Sequence, residues 1–197
     1  MASNLPRLAV TSLAERLRVT GFHRDGRPDA ALWATWTAND LDQLAPVAHR
    51  EALALGAAFL IVWAGVDGSP RITVESARQV ATVTDPGSRA PLAAIKRWAT
   101  SQSTEVVLYA PDRITRYRAN QLGATSGFRV VDTIDNPLGE VPVVAMLNSD
   151  RLLDVGVSEM ADLIPLCDAL NKALADLMVA SEYFARPRRW ATGIELV

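Results

Sequence analysis

The chain has 197 residues, of which 49% are hydrophobic and 21% charged, a composition typical of one globular domain and not of a disordered chain. Its net charge of −2 excludes a global field that would draw it onto nucleic acid, and its single cysteine excludes an internal disulfide, which favours a cytosolic setting. The longest apolar run, residues 57–66, is too short to span a bilayer, and we expect no secretory signal.

The first part of the chain has the spacing of amphipathic helices. Apolar residues three and four apart predict a helix over residues 5–19, ended by Gly21. Residues 25–29 form a predicted turn. Trp33 and Trp36 then lie one helical turn apart, a spacing more typical of core or subunit packing than of a ligand platform.

A further helix is predicted up to Leu55, with Gly56 ending it. Asn39 is the expected N-cap, because its side chain can accept a hydrogen bond from a free N–H of the first turn. Pro46 falls inside this segment, so the helix must kink there or begin later.

The middle of the chain changes to short apolar runs and alternating patterns, which predict strands. The predicted strands cover residues 59–63, 71–75, 80–84, 92–98, 105–109, 114–118 and 142–147. Polar turns separate them, and the loop 123–127 and the turn 136–139 complete the series. Brief connections favour an antiparallel meander over parallel crossovers. We therefore expect an α+β fold, with a mostly antiparallel sheet flanked by the helices at 5–19 and 39–55.

The last third is predicted to be helical from Ser158, with Pro165 separating a short first helix from a longer one and Pro187 ending it. Its apolar positions form one stripe, which exposes too much apolar surface for a free monomer. We expect a packing seam on this helix, partly against the domain body and partly against a neighbouring subunit, formed by Leu170, Leu174, Leu177 and Met178. The predicted organisation is an α+β domain over residues 1–157 and a helical segment over 158–197.

Sequence templates for catalysis, metal binding and cofactor binding are not matched. His23 and His49 are the only histidines, too few for a zinc site with one cysteine. The glycine-rich stretch 123–127 lacks the lysine of a phosphate-binding loop. Cys167 lies on the apolar stripe, where a cysteine packs as a small hydrophobe, and His49 is expected at the surface or in a cap. We predict no catalytic residue, no metal ligand and no cofactor.

The basic residues are almost all arginines, and most are scattered along the chain. Such usage follows from the codon bias of a GC-rich genome, so it does not indicate a nucleic-acid surface. The one local basic spot is expected near the C-terminus, as a possible contact to DNA or a partner, at Arg186, Arg188 and Arg189.

Three segments carry a resemblance to a known family. The first, residues 42–53 with Gly56 and the strand 59–63, continues into 71–75; the second is the turn and strand at 136–144. The third and most specific runs over 164–172 and continues through 176, 180–184 and 189–193. Together they resemble the SPP1 Gp6-like family of phage portal proteins, as found in phages and prophages of actinobacteria. Cys167 departs from the polar residue that the family pattern leads us to expect.

The resemblance implies a structural role without catalytic residues or a cofactor. Portal subunits form dodecameric rings at one capsid vertex, nucleate head assembly and conduct double-stranded DNA. The implied partners are copies of the chain itself, terminase, scaffolding and capsid proteins, and DNA bound weakly and without sequence preference, with no membrane. The implied location is the virion, and the bacterial host cytoplasm during assembly. Family members are longer, so this chain is expected to cover the wing and the start of the stem.

Two other classes of function stay open at this point. An enzyme, such as a nuclease or hydrolase with an unfamiliar site, would be favoured by acidic residues converging on a strand edge or by a deep pocket holding His49. A small-partner binding module would be favoured by a groove lined with the exposed side chains of Trp33, Trp36 and Trp63.

Overall fold

The computed structural model describes residues 4–149, 151, 156–185 and 192–193. The helices in this part of the chain are α1 (Leu5–Ala14), α2 (Ala30–Ala38), α3 (Leu41–Leu55) and α4 (Leu163–Ala185). The strands are β1 (His23–Arg24), β2 (Arg27–Pro28), β3 (Ala57–Ala64), β4 (Pro70–Ser76), β5 (Val80–Thr84), β6 (Pro91–Ala99), β7 (Thr104–Tyr109), β8 (Arg113–Ala119), β9 (Arg129–Asp135) and β10 (Val143–Leu147). All strand pairs are antiparallel, and the predicted α+β class with a long C-terminal helix is confirmed.

Two sheets form the body. One has the strand order β10-β3-β4, and the other is a five-stranded meander in the order β5-β6-β7-β8-β9. Because successive side chains of a strand point to opposite faces, β3 has two buried sides. Phe59 and Ile61 pack with Val80 of the meander, while Ala58 packs with Ala48 of α3 on the other face. The order of layers is therefore the meander, the three-stranded sheet and the helices.

The N-terminal helix is shorter than predicted, because α1 ends at Ala14 and not at residue 19. Its buried residues Val10 and Ala14 pack against Leu53 of α3. The predicted turn at 25–29 is the tip of a small hairpin, β1-β2. The two short strands are exposed, so they lack the alternating apolar pattern by which a strand is recognised in a sequence.

The prediction that Asn39 caps the second long helix is wrong. Asn39 ends α2, and its side chain instead accepts a hydrogen bond from Ile72 N at 2.9 Å and donates one to Pro70 O at 3.0 Å. Helix α3 begins two residues later, at Leu41, after Asp40 in a left-handed conformation with φ 52°. Asn39 thus joins the helical layer to the edge strand β4, a contact between residues distant in sequence. Helix α3 continues through Pro46.

Strand β9 was not predicted. All seven of its residues are exposed, since it forms one edge of the meander and nothing covers its outer faces within the described chain. Without a buried face, Arg129–Asp135 shows no inward and outward alternation of apolar residues. The strand conformation of this segment comes from its pairing with β8, which the sequence pattern does not indicate.

A buried carboxylate holds the centre of the meander together. Glu105 on β7 is only 2% exposed and accepts hydrogen bonds from Arg118 Nε at 2.5 Å, Ser103 Oγ at 3.1 Å and Arg116 Nε at 3.2 Å. Burial raises the pKa of this carboxyl, but the three hydrogen bonds lower it by more, so its pKa lies below the ordinary value of 4.5. Glu105 therefore stabilises the sheet as an anion.

Replacing this carboxylate tests its contribution. We expect Glu105→Gln to lower the free energy of unfolding at pH 7 by about 1–3 kcal/mol, because one charge-assisted acceptor is removed from beneath two arginines. Since the pKa of Glu105 is depressed by folding, its stabilisation is present above pH 4.5 and is lost as the pH falls through the folded-state pKa. Thermal melts from pH 7 to pH 3 should fall less steeply for the variant. Glu140→Gln removes the same charge at an exposed site and should resemble the wild type.

Candidate functional site

The junction between the body and α4 lies at the C-terminal end of α3. The last carbonyls of a helix lack intrahelical partners and need others. Here Glu159 N donates to Leu53 O at 2.9 Å, Ser158 Oγ donates to Ala54 O at 2.6 Å, and Asn148 N donates to Gly56 O at 2.8 Å. The chain that leads into α4 is therefore hydrogen-bonded to the end of α3.

Two glycines allow this close approach. Gly56 and Gly156 have φ values of 88° and 113°, where side chains with a Cβ are strained. A Cβ on Gly156 would overlap the carbonyl oxygen of Gly56, and a Cβ on Gly56 would lie 2.8 Å from the carbonyl carbon of Gly156. The sequence indicated Gly56 as a helix end, but no local signal marked its contact with Gly156.

Helix α4 is one continuous helix of 23 residues, with Pro165 in its first turn. The short first helix predicted from Ser158 is wrong: residues 159–162 form turns. Proline is tolerated in a first turn, where its missing N–H has no intrahelical partner. Helix α4 contacts α1, and Met160 just before it packs with the Val10 and Ala14 side of α1.

The apolar stripe of α4 changes its surroundings along the helix. Cys167 is buried and Leu174 is half-buried. Leu170 is 40% exposed, Leu177 64% and Met178 59%, so most of the predicted seam is open in the single chain. Every residue from 175 to 185 except Ala180 is exposed. The stripe thus begins as a packed face and continues as an uncovered one.

The other predicted residues of this segment divide into two groups. Lys172 and Asp176 are exposed, as expected for side chains outside the stripe. The predicted basic spot of Arg186, Arg188 and Arg189 lies outside the described residues.

A second feature is an apolar cavity of about 380 Å³ between the helices and the three-stranded sheet. Its floor is the helix-facing side of that sheet, with Leu60, Val62, Ile72, Val74, Val144 and Met146. Trp36 of α2 and His49 of α3 form part of its wall. Both Trp36 Nε1 and His49 Nδ1 are buried, and neither has a hydrogen-bond partner among the described residues.

The cavity bears on the two alternative classes of function. His49 is half-buried in its wall and not at the surface as predicted, so a pocket holding this histidine does exist. Its Nδ1 lacks the orienting carboxylate that a histidine base uses, and no group of three or more potential metal ligands occurs in the described part of the chain.

The groove of three tryptophans that would have favoured a binding module does not form. Trp33 and Trp36 stack with their ring centroids 6.4 Å apart, and Phe22 packs against both. Trp63 occupies a position in β3 of the same parity as Phe59 and Ile61, which face the meander. The sheet therefore separates Trp63 from the other two.

Among the described helices, none is long and apolar enough to cross a membrane.

Comparison with known proteins gives consistent matches along the chain. Residues 1–196 match the family model described as phage portal protein, SPP1 Gp6-like. The portal protein of Mycobacterium phage D29 is 32% identical over 212 residues, covering 96% of this chain and 41% of the relative. The portal protein of Mycobacterium phage L5 is 33% identical over 207 residues, with the same coverage of both chains. The chain thus spans about two fifths of the length of these relatives.

The glycine contact at the junction can be tested by substitution. We expect Gly156→Ala to lower the free energy of unfolding by roughly 1–3 kcal/mol more than a matched glycine change, because the new Cβ meets backbone that cannot swing away. The control is Gly127→Ala. Gly127 has φ 74° and open space where a Cβ would lie, so this change introduces the backbone strain without a steric contact. Equal losses in urea unfolding of the two variants would show that the contact is not tight.

Proposed function

The chain belongs to the SPP1 Gp6-like family of phage portal proteins, and on this basis we propose that it is a structural subunit of a portal ring at the capsid vertex. In this role it acts in head assembly, DNA packaging and DNA passage without catalysing a reaction. Ring subunits need surfaces that a single chain leaves open. The observation that carries the proposal is the stripe of α4, buried at Cys167 and uncovered at Leu177.

The spacing of the stripe suits a partner helix. Leu163, Leu170, Leu177 and Phe184 recur every seven residues, and Cys167 and Leu174 lie between them four residues after a member of that series. This 3.5-residue average is the period by which helices pack side by side. Phe184 is 76% exposed, so the series ends on a large apolar surface with no cover in the described chain. The predicted seam consists of Leu170, Leu174, Leu177 and Met178. We assign its part from Leu177 onward to contact with a neighbouring subunit.

The junction at the end of α3 supports a division of labour along the chain. Residues 1–157 form the wing-like body, and residues 158–197 form the segment that leads toward the stem. The hydrogen bonds of Ser158 and Glu159 to α3 support a start of the second part at residue 158. A subunit built in this way presents its seam in one direction, which repeated copies around a ring require.

Contact with DNA follows from the passage of DNA through the ring and not from a binding site on this chain. The net charge of the chain is −2. A protein binds double-stranded DNA tightly and without sequence preference only where its basic side chains neutralise several phosphates. Weak contacts suit a conduit, because tight ones would arrest sliding. The further partners are terminase, scaffolding and capsid proteins, and the location is the virion, after assembly in the host cytoplasm.

The seam predicts different outcomes at two of its leucines. Leu177→Asp should leave the free energy of unfolding within about 0.5 kcal/mol of wild type, since Leu177 is 64% exposed, but should reduce self-association in sedimentation velocity. Leu174→Asp should lower both, because Leu174 is half-buried within the chain itself. Val66→Asp places the same charge at a fully exposed position away from α4 and serves as the control. Self-association unchanged by both α4 variants would contradict the assignment of the seam.

Binding to duplex DNA should be weak. In a gel-shift titration at physiological salt we expect no submicromolar complex. The three arginines near the C-terminal end of the chain should make the binding constant depend only weakly on salt concentration. Submicromolar binding that disappears when Arg186, Arg188 and Arg189 are changed to Ala would instead show a dedicated DNA site in the C-terminal segment.

A further inference from the structure

One face of the meander carries a group of three arginines beside its β9 edge. Arg116 and Arg118 lie two residues apart on β8, so both side chains project from the same face. Arg129 on β9 lies directly opposite Arg118 in the strand register and shares that face. Like charges placed opposite each other on adjacent strands destabilise a sheet. An anion between these arginines would therefore stabilise the meander.

A single buried carboxylate serves two of the three arginines. Glu105 accepts a hydrogen bond from the Nε atom of Arg116 and one from the Nε atom of Arg118. The Nη atoms of these two groups form no hydrogen bond with the described residues, and their side chains are 46% and 45% exposed. A guanidinium group has five N–H donors. Glu105 thus positions both groups through one donor each and leaves the others available to a ligand.

The positive charge of the three arginines is not fully compensated. Arg129 is exposed and forms no ion pair with another described residue. Asp132 lies opposite Arg116 in the strand register, but it forms no ion pair within the described chain either. Even when Glu105 and Asp132 are both counted, one positive charge remains in excess. This part of the meander is therefore electropositive, although the net charge of the whole chain is −2.

The number of acceptor oxygens selects the class of anion. Neighbouring members of the group are about 5 Å apart across the strands and about 7 Å apart along β8, measured between Cα atoms, so they form a triangle. A carboxylate has two oxygens in one plane and matches one guanidinium fork. A phosphate diester also has only two free oxygens. A free phosphate or a phosphate monoester has three or more, and arginine matches phosphate in geometry.

We propose that Arg116, Arg118 and Arg129 form a binding site for a terminal phosphate group, either free phosphate or a monoester. Glu105 is the positioning residue, because it holds two of the three guanidinium groups. The site is separate from the contacts proposed for the ring and does not rest on them. It neutralises one phosphate group, so it does not provide the several phosphate contacts on which tight binding of duplex DNA depends.

Nuclear magnetic resonance of the intact ¹⁵N-labelled chain tests the site. The Nε–H groups of Arg116 and Arg118 are hydrogen-bonded, which slows their exchange with water and makes their signals observable. Each signal is assigned by its loss in an Arg116→Lys or Arg118→Lys version. Inorganic phosphate then replaces sodium chloride stepwise at pH 7 and constant ionic strength. We expect both signals to shift and to saturate, whereas sodium acetate should cause no saturable shift.

Two variants with the same change of charge separate the site from general effects. Arg129→Gln should bind phosphate about tenfold more weakly, through the loss of charge-assisted hydrogen bonds. Its melting temperature without phosphate should be no lower than that of wild type, because Arg129 has no ion pair to lose. Arg113→Gln is the matched control, since Arg113 is exposed on the opposite face of β8 and pairs with Asp112. It should bind phosphate as wild type does.

Two thymidine compounds distinguish the sources of the phosphate. Thymidine 5′-monophosphate has a terminal phosphate, whereas the phosphate of thymidylyl-thymidine is a diester. We expect the first to bind about as tightly as inorganic phosphate and the second about tenfold more weakly. Binding of inorganic phosphate alone would support the site and restrict its ligand to the free anion. A shift that does not saturate, that acetate or the diester reproduces with equal affinity, or that is unchanged in Arg129→Gln overturns the proposal.

Discussion

The close contact between Gly56 and Gly156 is the constraint on which the arrangement of this chain depends. Helix α3 ends at Gly56 because a left-handed residue is needed there, and the returning chain lies against it only because Gly156 has no side chain. The same return satisfies the last carbonyls of α3 through Ser158 and Glu159. One backbone contact thus allows the end of α3 to be capped and holds the segment that leads into α4 beside it.

From this start, α4 uses one stripe for two purposes. Its first half packs on the body beside α1, and its second half carries the same apolar period with no cover in the described chain. An exposed apolar surface of this kind does not stabilise a free monomer, whereas a structural subunit is stabilised when identical neighbours bury it. The meander has its own stabilising contacts, since the buried Glu105 carboxylate bonds only to Ser103, Arg116 and Arg118 among the described residues.

Residues whose burial follows a period were predictable from the sequence, and residues fixed by distant contacts were not. The continuous apolar run of β3 reflects burial on both of its faces, and the stripe of α4 reflects burial along one side of the helix. The side chains of strand β9 are exposed, and Asn39 forms hydrogen bonds to residues of β4 some thirty positions away. Neither feature therefore produces a local sequence pattern. The long helix α4 was predictable for the same reason, whereas the seam on it stays a prediction. The cavity required the fold, since its walls come from α2, α3 and three strands.

The direction of α4 relative to the body can be measured by pulsed electron resonance between spin labels at Lys172 and Val83, both exposed, in a Cys167→Ala background. The contact of the two glycines predicts a single narrow distance distribution. The same pair of labels in a Gly156→Ala chain should give a broader one, because the added Cβ cannot share the space of the Gly56 carbonyl. A broad distribution in the chain with both glycines intact would contradict the account, since α4 would then leave the body without a fixed direction.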